Sequence, residues 1–178
     1  MPTSLCKNKF LHSEVNLLIQ HTNFKYYYSH YYNIFCKKVT ILGVYGISQD
    51  EASIKKEEFY RNLNNIINKI GCSRKIIIIM GDFNGRTGNR IGTEVVGPHG
   101  EERVNNDNGE RLIELCVQYS LKIKSGFYQR EDIRKYTRYQ GSLQQRSIID
   151  YIIIKNTGLK QHLKSFSRPK LWQRTFFW

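Results

Sequence analysis

A mixed α/β domain is the fold this sequence predicts, and three observations carry it. The β-branched run VTILGVY (39–45) is followed by an amphipathic stretch and then by a second apolar run, KIIIIM (75–80), which is the order of a strand–helix–strand unit. A third run, SIIDYIIIK (147–155), arrives after another helical stretch. The chain has 178 residues, a length suited to one domain, and with 40% hydrophobic and 13% aromatic residues it has material for a real core. Wholesale disorder, collagen and coiled-coil organisations are thereby excluded.

Taken in order, residues 1–37 hold Tyr26, Tyr27, Tyr28, Tyr31 and Tyr32 but show no sustained period, so no element is assigned to them. Val39–Tyr45 reads as a buried strand ended by Gly46, and Asp50 offers a cap for the helix that follows. Phe59, Leu63, Ile66, Ile67 and Ile70 recur at helical spacing on one face, and Gly71 supplies a stop. Residues 75–80 are too short and too β-branched for an independent helix and read as a central strand covered on both faces. Beyond a glycine-rich loop (81–100), Asp107 and Glu110 have capping-box spacing at the head of a helix whose core face is Leu112, Leu115, Cys116 and Tyr119. Leu121–Lys124 is a short strand, 125–146 a basic polar connection, and 147–155 the last strand. No repeat and no interdomain linker interrupts the chain.

Composition narrows the function classes. Ile76–Met80 and Ile152–Ile154 fall far short of the roughly 18 apolar residues of a membrane-spanning helix, and no membrane association is expected. The first twenty residues scatter Lys7, Lys9, His12, Glu14 and Asn16 where a signal peptide would be apolar. Cys6, Cys36, Cys72 and Cys116 lack any paired spacing and read as reduced thiols in an intracellular protein, the nucleus being one compartment where a nucleic-acid partner would be met. The net charge is +13 and unevenly placed: residues 111–178 carry 14 basic against 4 acidic groups. There Lys122, Lys124, Arg130, Arg134, Lys135, Arg138 and Arg146 interleave with Phe127, Tyr128, Tyr136 and Tyr139, a mixture that neutralises phosphates and stacks on bases. Nucleic acid, DNA before RNA, is the expected partner; a solvated basic face is the plainer alternative.

Chemistry is expected at the strand ends. Asp82 follows KIIIIM at the strand's C-terminal end, where α/β proteins build sites, and Asn84 lies two residues on. Together they suit orientation of a nucleophile and contact with a phosphate oxygen, although Gly-Asp-Phe-Asn-Gly is also turn-forming. Asp150 sits within an isoleucine-rich strand, where an ionised carboxylate needs a strong partner, structural or functional. Thr137 and the arginines of the basic connection are candidates. His99, in GPHG, reads as a turn residue. No HxxxH, CxxC, HExxH, GxxxxGK[ST] or GxGxxG pattern occurs, so neither a zinc site nor a nucleotide cofactor is implied.

The segments IIIIMGDFNGRTG, GPHG with NDNGERLIELC, and RSIIDYIII, in this order, resemble the endonuclease/exonuclease/phosphatase superfamily. Within it, the segments resemble the endonuclease domains of non-LTR retrotransposons and the craniofacial development protein 2-like proteins derived from them. The resemblance covers roughly Val39 to Phe166. It implies a four-layer α/β sandwich with two central sheets, here a partial one, and Mg2+-dependent hydrolysis of phosphodiester bonds. By the same resemblance, Asp82 and Asp150 are active-site carboxylates and Asn84 binds substrate. Tyr45 contacts phosphate, and Thr137 matches a position that touches DNA.

The implied organisation is an unassigned segment 1–38, the partial domain 39–166 and a divergent tail 167–178. Family members also carry an Asn strand and a metal-binding Glu strand upstream, and a closing Ser-Asp-His segment. Neither is matched here, and His162 lacks that context. A truncated member with impaired catalysis is therefore the expectation, with a non-catalytic nucleic-acid-binding domain or a decayed mobile-element fragment as alternatives.

Overall fold

The structure is a computed structural model, and it describes residues 28–34, 37–70, 76–90, 92–102 and 104–155. Gly71, Cys6, Cys36, Cys72, Tyr26, Tyr27, His162 and the tail 167–178 lie outside the described residues.

Strand β1 (Tyr28–Ile34) pairs antiparallel with β2 (Lys37–Tyr45), with Tyr28 opposite Gly43 and Ile34 opposite Lys37. β1 falls where the sequence gave no assignment. Its YSHYYNI is rich in β-favouring aromatics, but Ser29, His30 and Asn33 break the alternation that marks a strand. The helix α1 (Ser53–Ile70) starts three residues beyond Asp50, so Asp50 does not cap it. The Asp50 N–H instead turns back to Ser48 Oγ at 3.4 Å, and the first helical N–H groups, of Lys55 and Lys56, bond to the Ala52 carbonyl. Phe59, Leu63, Ile66, Ile67 and Ile70 are all buried, as their spacing predicts.

β3 (Ile76–Asp82) returns parallel to β2, which completes the strand–helix–strand unit. α2 (Asp107–Gln118) follows the long loop, and its cap corrects the expectation by one residue. Asn106, not Asp107, accepts from the Gly109 N–H at 2.9 Å, and Glu110 bonds to Arg90 and Asn105 instead of reaching back to the cap. β4 (Leu121–Ile123) comes next. The basic connection then holds a 3₁₀ turn (124–127), the one-turn helix α3 (Asp132–Lys135) and a hairpin of β5 (Arg138–Gln140) and β6 (Gln145–Ser147). β7 (Asp150–Lys155) closes the described chain, shorter than the expected 147–155 because residues 145–147 pair with β5 instead.

The main sheet runs β1-β2-β3-β7-β4, with β2 and β3 parallel and the other pairs antiparallel. This is a mixed α/β fold, as predicted. Alternation sends Leu42, Val44, Ile77, Ile79, Tyr151, Ile153, Leu121 and Ile123 to one face, where they join the apolar faces of α1 and α2 in a single core. Burying one such side chain contributes about 1.5–3 kcal/mol, so this layer interface dominates the stability.

The opposite face departs from expectation. Ile78, Met80 and Ile152 there are only half-buried, so the central strand β3 is covered completely on one face alone. Asp82 and Asp150 lie at the end of this second face. Close backbone approach at that end requires glycine: a Cβ on Gly46 would stand 2.5 Å from the Phe83 carbonyl carbon.

Candidate functional site

Register alone assembles the first three residues. Asp82 stands opposite Asp150 in the β3–β7 ladder and opposite Tyr45 in the β2–β3 ladder, so the three form one row across the sheet. Directly opposed residues in antiparallel strands have Cα atoms roughly 4.5–5.5 Å apart, so the two residues stand side by side on the same face of the sheet. Tyr45 is exposed at the rim of this row.

Asn84 joins through the turn that ends β3. Its N–H donates to Asp82 Oδ1 at 2.7 Å, its side-chain amide donates to the Gly46 carbonyl at 3.0 Å, and its backbone adopts φ +46°. Asparagine tolerates this left-handed conformation better than most residues because its side chain bonds locally. The turn reading and the site reading of Gly-Asp-Phe-Asn-Gly are therefore compatible, since the same turn fixes both polar groups.

Thr137 comes from the segment before β5. Its Oγ1 accepts the Ile149 N–H at 3.1 Å and the Asp150 N–H at 3.3 Å, and its own N–H donates to the Ser147 carbonyl at 3.0 Å. Burial pushes the Asp150 carboxyl above its ordinary value, and a hydrogen bond with Thr137 works against that shift. All five residues singled out in the sequence are thus brought to one end of the sheet.

Other residues of this region gave no sequence signal. Glu101 is 4% exposed; its carboxylate accepts from Arg86 Nε at 2.8 Å, from Arg86 Nη2 at 3.2 Å and from the Ile148 N–H at 3.1 Å. It ties the loop after β3 to the residue two before Asp150. The Tyr151 hydroxyl adds a second tie: it donates to the Ile148 carbonyl at 2.7 Å and accepts from the Thr87 N–H at 3.2 Å. Burial pushes the Tyr151 phenol up to about 12, so it stays a neutral donor. His99, with its N–H on the Gly126 carbonyl, sits in the expected turn. It also lines a small pocket of about 30 Å³ with Thr137, Asp150 and Ser125, whose buried hydroxyl has no hydrogen-bond partner.

Asp82 and Asp150 are the groups able to hold a cation. Among the described residues, no group of three or more His, Cys, Asp or Glu gathers as a ligand set. Two carboxylates nonetheless fit a hard divalent ion that keeps several waters and takes a substrate phosphate, which is how magnesium is commonly bound. In and next to the basic connection, cations lie near aromatic rings: Lys122 and Lys124 are 6.0 and 5.6 Å from the Phe127 ring, Lys135 5.8 Å from Tyr136, and Arg146 5.9 Å from Tyr139. No helix among the described residues is long and apolar enough to cross a membrane. Burial raises the Cys116 thiol to about 12, which makes it inert.

No family profile matches the chain. It is similar to craniofacial development protein 2 of Bos taurus, 27% identical over 131 residues, which are 74% of this chain and 22% of that protein. This agrees with the resemblance carried by the three sequence segments. Among solved structures, an endonuclease/exonuclease/phosphatase family protein from Leptotrichia buccalis C-1013-b superposes with a TM-score of 0.48 at 18% identity, over 74% of this chain and 41% of that one. A beta toxin of Staphylococcus aureus gives 0.43 at 11% identity, over 74% and 43%. The chain spans about a fifth of the curated relative and less than half of either solved chain.

Proposed function

We propose that the row Tyr45–Asp82–Asp150, with Asn84 and Thr137, is a phosphodiester site of the endonuclease/exonuclease/phosphatase type that acts on nucleic acid, DNA before RNA. The observation that carries this reading is the cross-strand pairing of Asp82 with Asp150 at the end of the half-covered sheet face. Two carboxylates side by side repel each other and are costly to hold together unless a cation or a proton is shared between them. Their proximity is what a phosphate-directed site would require.

When bound, magnesium would neutralise charge developing on the phosphate oxygens, with Asp82 and Asp150 holding it. The chain's own groups do the rest. Asp82 orients a water, while the Asn84 amide, braced on the Gly46 carbonyl, holds a phosphate oxygen. Tyr45 contacts the phosphate from the rim, and Thr137 fixes the Asp150 backbone. Impaired hydrolysis is part of the same proposal: these two carboxylates are the ligands it assigns among the described residues, and groups that act as a unit lose nearly all their rate when one is missing. Retrotransposon ancestry, implied by the resemblance of the three sequence segments, belongs to the same reading. In domain terms the proposal takes in residues 39–166, of which 156–166 lie outside the described residues.

The test is nicking of a supercoiled plasmid with protein in excess, in Mg2+ or EDTA. The expected result is trace nicking by residues 1–178. Strong nicking should appear when a family member's N-terminal strands and closing Ser-Asp-His segment are grafted onto residues 39–166, and Asp82→Ala should abolish it. A folded graft that stays inactive, or nicking that survives Asp82→Ala, contradicts the assignment. A second reading, a non-catalytic nucleic-acid binder, is favoured by the cations lying over Phe127, Tyr136 and Tyr139. It predicts binding that persists in EDTA and falls steeply with salt, with no hydrolysis in the graft.

A further inference from the structure

The NDNG segment at the head of α2 has no part in the site's chemistry, yet its asparagines reach both loops that carry the site. Asn108 is wholly buried. Its amide Nδ2 donates to the Ile47 carbonyl at 2.8 Å, in the loop after β2, and to the Asn84 carbonyl at 3.3 Å, in the loop after β3. Its backbone N–H donates to Gln49 Oε1 at 3.2 Å, again in the first loop, and its carbonyl accepts from the Tyr60 hydroxyl at 2.6 Å. One residue thus bonds to both loops and to α1.

The two ends of this side chain are treated very differently. Asn108 Oδ1 is buried without a hydrogen-bond partner, whereas Nδ2 serves two carbonyls from different loops. An orphaned buried acceptor is unfavourable. An asparagine tolerated here on those terms owes its place to the donor end. Asn106 reinforces the grip on the second loop: its Oδ1 accepts the Arg86 N–H at 2.8 Å, its N–H donates to the Arg86 carbonyl at 3.1 Å, and its Nδ2 reaches the Asn84 carbonyl at 3.4 Å. Gly109 lets the helix head come this close, because a Cβ there would stand 2.0 Å from the Arg86 carbonyl oxygen.

We infer that Asn108 is a positioning residue: through its amide it sets the spacing between the loop that follows Tyr45 and the loop that follows Asp82 and holds Asn84. The consequence rests on the phosphodiester reading above. Asn84 sits at positive φ with its carbonyl in the grip of Asn106 and Asn108, and its amide spans to Gly46, next to Tyr45. Releasing that carbonyl frees the turn to rotate, and the Asn84 amide then no longer presents to a phosphate held by Tyr45. Asn108 touches no substrate itself and acts through Asn84.

The test uses the full 178-residue chain as wild type, Asn84→Ala, Asn108→Ala and the double variant, with Leu112→Ala as a control that loosens the same helix from the core. Hydrogen exchange is measured, together with affinity for a short DNA duplex both in Ca2+ and in EDTA. In Asn108→Ala, exchange should quicken at least tenfold at residues 46–49 and 83–87 together, while residues 63–67 of α1 stay as in wild type. Leu112→Ala should quicken α1 and α2 without singling out the loops. Asn84→Ala and Asn108→Ala should each weaken DNA binding severalfold, and the double variant should be no weaker than Asn84→Ala alone, since one acts through the other. Exchange that quickens in only one loop, or uniformly, overturns the inference, and so do losses of affinity that multiply in the double variant. If wild type fails to bind DNA at all, the phosphodiester reading fails, and the paired response of the two loops still decides the role of Asn108.

Discussion

Replacing Glu101 by alanine probes how the site is held, because this buried carboxylate clamps the loop after β3 to the entry of β7. Three bonds are lost: two to Arg86 and one to the Ile148 N–H. Leaving the Ile148 N–H without an acceptor costs about 1–3 kcal/mol. The Arg86 side chain is 30% exposed, so its guanidinium regains water and its share is roughly 1 kcal/mol. The total is about 3 kcal/mol, equivalent to roughly 10 °C in Tm for a domain of this size. Glu101→Gln should cost less, since an amide oxygen still accepts from Ile148. Arg86→Met should cost more than either, since it strands a buried charge. Thermal melts followed by circular dichroism give the order directly. Glu101→Ala melting within about 2 °C of wild type, or Arg86→Met milder than Glu101→Gln, would refute the clamp.

Three further outcomes are expected. Asp150 is held above its ordinary pKa of 3.8 by burial, so the folded state binds its proton more tightly than the unfolded chain does. The stability attached to this group is complete below the unfolded value and is lost as pH rises through the folded one. Asp150→Asn should therefore melt higher than wild type at pH 7, and the gap should close below about pH 4; a lower melt at pH 7 contradicts this. Gly109→Ala should destabilise by more than about 1 kcal/mol although alanine is the better helix former, because its Cβ would meet the Arg86 carbonyl oxygen; urea unfolding midpoints decide it. Charge reversal at Arg134, Lys135 and Arg138 should weaken DNA binding and flatten its salt dependence more than reversal at the exposed Arg61 and Lys69, as read by fluorescence anisotropy. Lys56 is unsuitable as a control, since it is buried and paired with Asp107 at 3.3 Å.

Much of the architecture was legible because strong periodicity survives context. The five-residue apolar face of α1 and the isoleucine runs of β3 and β7 announce themselves, and Asp150 stands out because a carboxylate among isoleucines demands an explanation. β1 was illegible because its aromatic and polar residues follow no period. The covering of β3 was overread, since an all-apolar strand implies two buried faces and α1 and α2 supply only one. The caps failed by a few residues because Asp50, Asn106 and Asp107 all have the right chemistry, and only backbone geometry selects among them. Glu101 left no mark in the sequence, and Asn108 stood inside NDNGERLIELC without a role of its own, because what they do lies in bonds to residues 47 and 24 positions away along the chain.

Whether Asp82 and Asp150 with Asn84 and Tyr45 form one cation-assisted phosphate site is decided by titrating Mn2+ into isotope-labelled protein carrying a short DNA duplex and following which amide signals broaden. Tyr45–Gly46, Asp82–Asn84 and Asp150–Tyr151 should broaden first and together, at Mn2+ levels that leave α1 untouched, and Asp82→Ala and Asp150→Ala should each abolish the effect. Broadening scattered over exposed carboxylates such as Glu51 and Glu94, or signals at residues 82 and 150 that respond independently of each other, would contradict a single shared site.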